Sequence, residues 1–486
     1  MKLKNIISPD ECLIYQPPTD LEIGNITVNP EECDKNTLLI VPNSDKLPDF
    51  SKMIMYPGAV LASPECNIPP EIKSIRTDNP RKSMAYAYSR FYEIDYTKTK
   101  FIGITGTNGK TSTATFIRHI LKDGGYKVGF IGTGKIEADG KMLSKEYYSM
   151  TTPDPEILYK SIAKMQSEGC DAIVMEVSSH SLALSKVAPI IFDYAVFTNL
   201  SPEHLDFHSS IDKYYEAKLR LFSQCKVGIF NIDDPHARKA ASECTSRKIT
   251  VGALFRGDVY ASNVTDLGFD GSEYLFHGKG FVFKAKISPP GIYNVYNSMI
   301  AAALTADMGI KPCEIKKSLS NVNNIEGRFE IIKGEVTVII DYAHTDAALK
   351  DFLKSIRASR RANQQLTVVF GCGGNRDKEK RPRMAAVAEK YADKIILTSD
   401  NPRNEDPLDI ITDVMRGFNR KSFSVIENRK EAITEAILGA QDNAIVAVVG
   451  KGAEKYSIDK DGYHEFDERE IISKALEKRH SQKPTT

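Results

Sequence analysis

From residue 100 onward the chain alternates two hydrophobic rhythms. Short β-branched and apolar runs at 101–105, 171–177, 194–198, 336–340, 366–370, 394–397 and 445–449 read as buried strands. Between them lie stretches with apolar residues three and four apart, as at Phe116, Ile117, Ile120 and Leu121, the spacing of a helix with one buried face. That alternation predicts an α/β protein with mainly parallel sheets and crossover helices. The first ~98 residues break the rhythm; they are rich in proline, hold short strand-like pieces such as 38–41, and carry no sharp chemical motif. Polar, turn-forming residues at 321–324 precede a new strand and place a break near 325–330. The polar end, 478–486, reads as frayed.

Length and charge narrow the picture. At roughly 150 residues per domain, 486 residues suggest three domains. Lys and Arg number 65 against 64 Asp and Glu, a net charge of +1, which excludes a general nucleic-acid coat or a membrane-surface protein. No run approaches the ~20 apolar residues of a bilayer span. The start, MKLKNIISPDECLIY, lacks the long apolar segment of an export signal. Eight cysteines without a CxxC pair fit a reduced, cytoplasmic chain with neither a disulfide framework nor a cysteine-built zinc site.

The sharpest chemistry follows the strand at 101–105: Gly106-Thr107-Asn108-Gly109-Lys110-Thr111-Ser112. Glycines let backbone amides close around phosphate oxygens, and the following helix N-terminus adds positive potential. Lys110 reaches the outer phosphates and the Thr111 hydroxyl can ligate magnesium. Five residues rather than four separate Gly103 from Gly109, a departure from the usual phosphate-loop spacing. Glu176, near the end of an apolar strand, supplies a carboxylate for that metal, since a buried charge needs a partner or an ion. The stretch 198–208 packs two histidines and two carboxylates after another strand, and Lys218 sits on an amphipathic pattern where a lysine is ordinarily solvated.

Three later strands also end in polar, glycine-bearing loops, at 371–382, 399–407 and 450–455. Open α/β sheets bind ligands at the carboxyl ends of strands, so these loops suggest one shared site. Residues 375–383 carry five basic and two acidic side chains, ordinarily a solvated charge run. Arg403 offers the planar fork that recognises a carboxylate.

In order, the segments GTNGKTS, TTPDP, MEVSSHSL, TNLSPEHLDFH, YYEAK, GIYNVYNSMIAA, GRFE, DYAHT, FGCGGNRDKEKRP, DNPR and GKGAE resemble the Mur ligases, and among these the E-type branch. The resemblance implies three α/β domains: an N-terminal UDP-sugar-binding domain to about residue 98, a central phosphate-loop ATPase over 99–328, and a Rossmann-like amino-acid-binding domain over 329–486. It implies ATP and Mg²⁺ as cofactors, small-molecule substrates and a monomer, with no nucleic-acid or membrane partner. The implied reaction phosphorylates the carboxylate of a UDP-muramoyl dipeptide and lets an amine displace phosphate. Lys110 is then implied to bind the transferred phosphoryl group, Thr111 and Glu176 one magnesium, and His204 a second. Lys218 matches the family lysine that carbon dioxide converts to an N6-carboxylysine. Gly106 to Ser112 together with Asn297, Arg328, Asp341 and His344 match nucleotide positions. Thr151, Thr152, Ser179 and Lys186 match contacts to the muramoyl peptide. Arg376, Asp400, Asn401, Arg403, Gly450 and Glu454 match the amino-acid site, with DNPR the signature for meso-diaminopimelate.

Four positions depart from the family pattern. The N-terminal Asp-Ser-Arg that seats uracil is not visible, the chain reading Val28-Asn29-Pro30-Glu31 after Thr27. Leu184 replaces a Gln, Lys186 an Arg, and Ala453 the His of GKGHE. Two other readings remain open on the residues: a ligase joining an amino acid to a different carboxylate, as folylpolyglutamate synthetase does, and a nucleotide-binding protein without turnover.

Overall fold

The computed structural model describes residues 1–44, 47–143, 150–419 and 423–482. The chain divides into two compact units: Met1–Ala114 with Leu121–Val251, and Thr115–Ile120 with Gly252–Thr486.

The first unit holds two sheets. Strands β1 (Ile14–Tyr15), β2 (Asn25–Thr27), β3 (Thr37–Ile40), β4 (Ala59–Ala62) and β5 (Ser74–Arg76) form one, in the order β1-β5-β4-β3-β2. Its core strands β3 and β4 are buried at every position, the signature of a sheet covered on both faces. The second sheet uses β6 (Lys100–Thr105), β7 (Val128–Gly132), β8 (Lys135–Ala138), β9 (Lys141–Met142), β10 (Ala172–Glu176), β11 (Phe192–Phe197), β12 (Cys225–Asn231) and β13 (Arg247–Gly252), in the order β13-β12-β11-β6-β10-β7-β8-β9. All pairs from β13 to β7 for which the register is described are parallel, while β8 and β9 return antiparallel. Helix Pro80–Phe91 packs on helix Pro155–Ser167, and both feed the apolar core that runs beneath the sheet.

The second unit begins with an antiparallel ribbon, β14 (Val259–Asp266), β15 (Ser272–Gly278) and β16 (Phe281–Ile287). It continues with β17 (Glu330–Ile332), β18 (Thr337–Asp341), β19 (Leu366–Phe370), β20 (Lys394–Leu397), β21 (Ser424–Val425) and β22 (Ile445–Val449), in the order β17-β18-β22-β19-β20-β21. Only β17 runs antiparallel in that sheet. A hairpin, β23 (Tyr456–Asp459) and β24 (Gly462–Glu465), follows the last parallel strand. Apolar clusters lie on both faces of this sheet, with Leu349, Phe352 and Leu353 on one and Ile433, Ile437 and Ile472 on the other.

The sheets are mainly parallel as expected, and the ribbon is an antiparallel addition that the sequence reading did not place. Burial along β16 alternates toward its end, so one face meets the core and the other meets water. The end of the chain is also more ordered than its polarity suggested. Helix Glu468–Ser481 includes residues 478–481, and Arg479 donates to the carbonyls of Ile437 and Leu438 at 3.1 and 2.9 Å. Residues 483–486 lie outside the described residues.

Candidate active site

In the first unit, β6 runs into the turn Gly106–Gly109 and then into helix Lys110–Asp123. Gly106 and Gly109 adopt φ of 146° and 85°, which other residues reach only under strain. A Cβ on Gly106 would also collide with Thr198 Oγ1. The end of β11 pins the turn: Thr107 N donates to Asn199 O at 2.9 Å, and Thr198 Oγ1 donates to Asn108 O at 2.6 Å. Lys110 Nζ folds back onto the carbonyls of Gly106 (2.9 Å) and Thr107 (2.8 Å). The ammonium is therefore stationed in the turn before any phosphate arrives. Ser112 is buried in the first helical turn.

Glu176 ends β10 at 1% exposure and accepts a hydrogen bond from Thr111 Oγ1 at 2.9 Å. Thr133 Oγ1 donates to its other oxygen at 3.4 Å. Among the described residues no three His, Cys, Asp or Glu side chains converge as a metal cage. The donor set at this point is one hydroxyl and one carboxylate. That set suits magnesium, which keeps waters and substrate phosphate oxygens in its remaining positions. Thr152 Oγ1 donates to Glu176 O at 2.9 Å, and the Thr151 and Thr133 hydroxyls lie 3.1 Å apart. The TTPDP segment is thus tied directly to the carboxylate strand. Thr133 was not singled out from sequence; its place one residue beyond a strand end was the available signal.

Lys218, 1% exposed, lies on helix Ile211–Leu219, contrary to the usual solvated lysine on an amphipathic pattern. Its Nζ donates to Gly106 O at 2.9 Å, the same carbonyl that Lys110 reaches, and sits 4.4 Å from the Tyr214 ring centre. Burial, reinforced by the Lys110 cation and only partly opposed by Glu203, pushes its pKa well below the ordinary lysine range. His204 takes a left-handed φ of 57°, with its ring 4.8 Å from that of His180. Desolvation first, then His180, Lys110 and Lys218, lower its pKa against the pull of Glu203. Lys110, His204 and Lys218 therefore share one electrostatic neighbourhood. Ser179 Oγ lies 2.9 Å from Nε2 of buried His208. Lys186 pairs with Asp154 at 2.7 Å.

In the N-terminal sheet, the place of the missing Asp-Ser-Arg is a self-closed turn. Thr27 Oγ1 and Asn29 Nδ2 both donate to Glu32, at 2.8 and 3.1 Å.

In the second unit, Asp341 ends β18 and accepts from Phe329 N (2.7 Å) and Ala343 N (2.8 Å). Burial raises its pKa, moderated by Arg328. The Arg328 guanidinium stacks 4.2 Å from the Tyr342 ring centre, and His344 Nδ1 lies 3.0 Å from Tyr342 O. Asn297 is buried in helix Ile292–Asp307, with Nδ2 on Asn294 Oδ1 at 3.2 Å.

The three glycine-bearing loops converge at the ends of β19, β20 and β22. Gly374 N donates to Asn401 O at 2.9 Å, and Arg403 Nη1 donates to Gly374 O at 3.0 Å. Arg403 holds a left-handed φ of 53°. Desolvation and then the nearby Arg376 lower its pKa, against the pull of Asp400 and Glu454. Asn401 Nδ2 donates to Glu454 Oε2 at 2.9 Å. Gly450 has φ 119°, and a Cβ there would press on Asp400 Oδ2. Asp400 itself is held below the usual range despite burial, by Lys451 and Arg429. Within the basic run, Arg381 is not a ligand: at 0% exposure it pairs with Glu405 (3.0 Å) and Asp413 (2.9 Å). Lys451 and Arg429 were missed by sequence reasoning, because nothing in their spacing distinguishes a buried cation from a solvated one.

Residues 104–305 match the Mur ligase middle domain, and residues 327–452 match the Mur ligase glutamate ligase domain. The chain is 36% identical over 485 residues to a UDP-N-acetylmuramoyl-L-alanyl-D-glutamate–2,6-diaminopimelate ligase 1 of Clostridium acetobutylicum, covering 98% of this chain and 99% of that one. A solved UDP-N-acetylmuramoyl-L-alanyl-D-glutamate–2,6-diaminopimelate ligase superposes with a TM-score of 0.67 at 25% identity, over 99% of both chains. The Mycobacterium tuberculosis folylpolyglutamate synthase shares the fold at 16% identity, with a TM-score of 0.63 over 83% of this chain and 96% of that one. The glycine turn after β6, the buried Lys218 on its carbonyl and the three converging loops thus sit on a chain that belongs to the Mur ligase family.

Proposed function

We propose that this protein is an ATP-dependent amide ligase that adds meso-diaminopimelate to UDP-N-acetylmuramoyl-L-alanyl-D-glutamate, a step of peptidoglycan precursor synthesis. The reading rests on 35–36% identity, over 98% of this chain, to ligases of that name and on residues suited to each step. The acceptor carboxylate attacks the γ-phosphorus of ATP, ADP leaves, and an acyl phosphate forms. The amine then attacks the acyl carbon, phosphate leaves with the C–O bond pair, and the nitrogen loses a proton to give the amide. Lys110, already in the phosphate turn, neutralises charge on the moving phosphoryl group. Thr111 and Glu176, with His204 and a carbamate on Lys218, are the residues to hold Mg²⁺, which supplies further charge neutralisation when bound. The lowered pKa of Lys218 favours carbamate formation, in which its unprotonated nitrogen adds to carbon dioxide and releases a proton.

Asn297, Arg328, Asp341 and His344 would contact the nucleotide, and Thr151, Thr152, Ser179 and Lys186 the muramoyl peptide. We assign domains to about 1–98, 99–328 and 329–486, in a cytoplasmic monomer acting on small molecules. No helix among the described residues is long and apolar enough to cross a membrane. The observation carrying the choice of amine is the Arg376 and Arg403 pair beside Asn401 and Glu454. Cations for a carboxylate and an anion for an ammonium match the far end of diaminopimelate, whereas lysine lacks that carboxylate. Phosphate release from ATP with UDP-muramoyl-Ala-Glu, tested alone and with diaminopimelate, lysine or glutamate, decides it. Release only with the dipeptide and diaminopimelate is expected; equal release with lysine would refute the choice of amine.

A further inference from the structure

Lys451 follows Gly450 at the end of β22 and is wholly enclosed, at 0% exposure. Its Nζ donates to Asn401 Oδ1 at 2.6 Å and to Tyr456 O at 2.8 Å. Glu454 Oε2 lies 3.7 Å away and Asp400 Oδ1 3.9 Å away. All four of these neighbours belong to the loops or the hairpin strand around the cationic site.

An ammonium offers only hydrogens, so it accepts one face of an amide and refuses the other. Against Lys451, only the oxygen of Asn401 fits. The same oxygen also accepts from Ile458 N at 3.0 Å. The nitrogen must then face Glu454, where it donates at 2.9 Å. Ile458 N marks the same oxygen, but it does nothing for the charge of the Glu454 carboxyl on the other side of the amide. Burial raises its carboxyl pKa, and a protonated carboxyl would donate to a turned amide just as readily. The Lys451 charge opposes that shift and favours the carboxylate.

We propose that Lys451 is a positioning residue of the amino-acid site, fixing the Asn401 amide so that its N–H face and the Glu454 carboxylate are presented to the far end of the incoming diamino acid. The assignment rests on the diamino-acid reading of this site. Lys451 touches neither nucleotide nor acyl chemistry in this role; it acts through Asn401 and Glu454.

The test is a double-mutant cycle on the full-length enzyme, read by phosphate release. Lys451→Met keeps length and removes the donors, and Asn401→Asp removes the amide while leaving Lys451. Each single variant is expected to raise KM for diaminopimelate by about 10–100-fold, with KM for ATP within about twofold. The preference for diaminopimelate over lysine should fall with it. The double variant should be no worse than the poorer single, because both changes remove the same orientation. Additive losses, or equal rises in the KM of ATP and diaminopimelate, overturn the proposal. If Lys451→Met does not fold, Lys451→Gln keeps a neutral donor: a rise in diaminopimelate KM alone supports the role, and no change overturns it. A wild-type enzyme that uses a different amine overturns the choice of diaminopimelate only, and the same cycle run with that amine decides Lys451. A protein releasing no phosphate with any amine overturns both.

Discussion

The glycine turn after β6 and the three loops at the ends of β19, β20 and β22 are built by different means. In the first, the side-chain nitrogens of Lys110 and Lys218 are held by backbone carbonyls, and two glycines at positive φ set the path of the chain. In the second, backbone contacts such as Arg403 on Gly374 O are joined by a chain of side chains holding side chains: Lys451 on Asn401, Asn401 on Glu454, and Arg429 on Glu468 at 2.6 Å. A backbone cradle presents the same donors and acceptors whatever the neighbouring residue types, which suits a phosphate common to every turnover. A side-chain network reads out particular residue types, which suits a choice among amines.

That contrast can be broken most severely at Lys218. Lys218→Ala should lower kcat by about 10²–10³-fold, with partial rescue by a short-chain carboxylate, measured as phosphate release. Full activity in the unrescued variant would remove Lys218 from the chemistry. A smaller and more selective effect is expected in the other region. Arg403→Ala should raise KM for diaminopimelate by about 10–100-fold and leave KM for ATP within about twofold; a parallel rise in both would show that the loops do not read the amine separately.

His208 sharpens the contrast through pH. Burial, with His180 and Lys218, depresses its pKa from 6.5 to about 4. Between those values the unfolded chain binds more protons than the folded one. Stability is therefore full above about pH 6.5 and falls as pH drops toward 4, by on the order of 2–3 kcal/mol from this group. Denaturant titrations of His208→Gln should show a flatter dependence over that window; an unchanged slope would mean that His208 is not buried neutral. The smallest effect is expected away from both regions. Lys164 and Glu168 pair at 3.1 Å on an exposed helix face, and Lys164→Ala should cost less than about 0.5 kcal/mol in the same titration.

How much could be read in advance follows from which signals are local. The strands at 366–370, 394–397 and 445–449 coincide with β19, β20 and β22, because β19 and β22 are buried throughout and β20 in part, which leaves apolar runs in the sequence. The strand, glycine turn and helix over 101–123 were legible because an apolar run, closely spaced glycines and a helical apolar rhythm follow one another locally. The ribbon β14–β16 was missed, although its alternation at 281–287 is the pattern of a half-buried antiparallel strand. Long-range burial was not legible at all. Lys218, Lys451 and Arg381 have the sequence context of surface cations, and only the assembled fold shows all three enclosed. The sequence departure at 28–31 was visible in advance, whereas the hydrogen bonds of Thr27 and Asn29 to Glu32 were not.

Gly106 bears on how such a protein can diverge. Its φ of 146° and the nearby Thr198 hydroxyl each forbid a side chain, so any single replacement there meets two obstacles together. Substitution at Gly106 is thus opposed twice over. At Asn401, Lys451 and Glu454 no positive φ adds such an obstacle. Descendants of this chain are therefore expected to change which amine they accept long before they change how they hold phosphate.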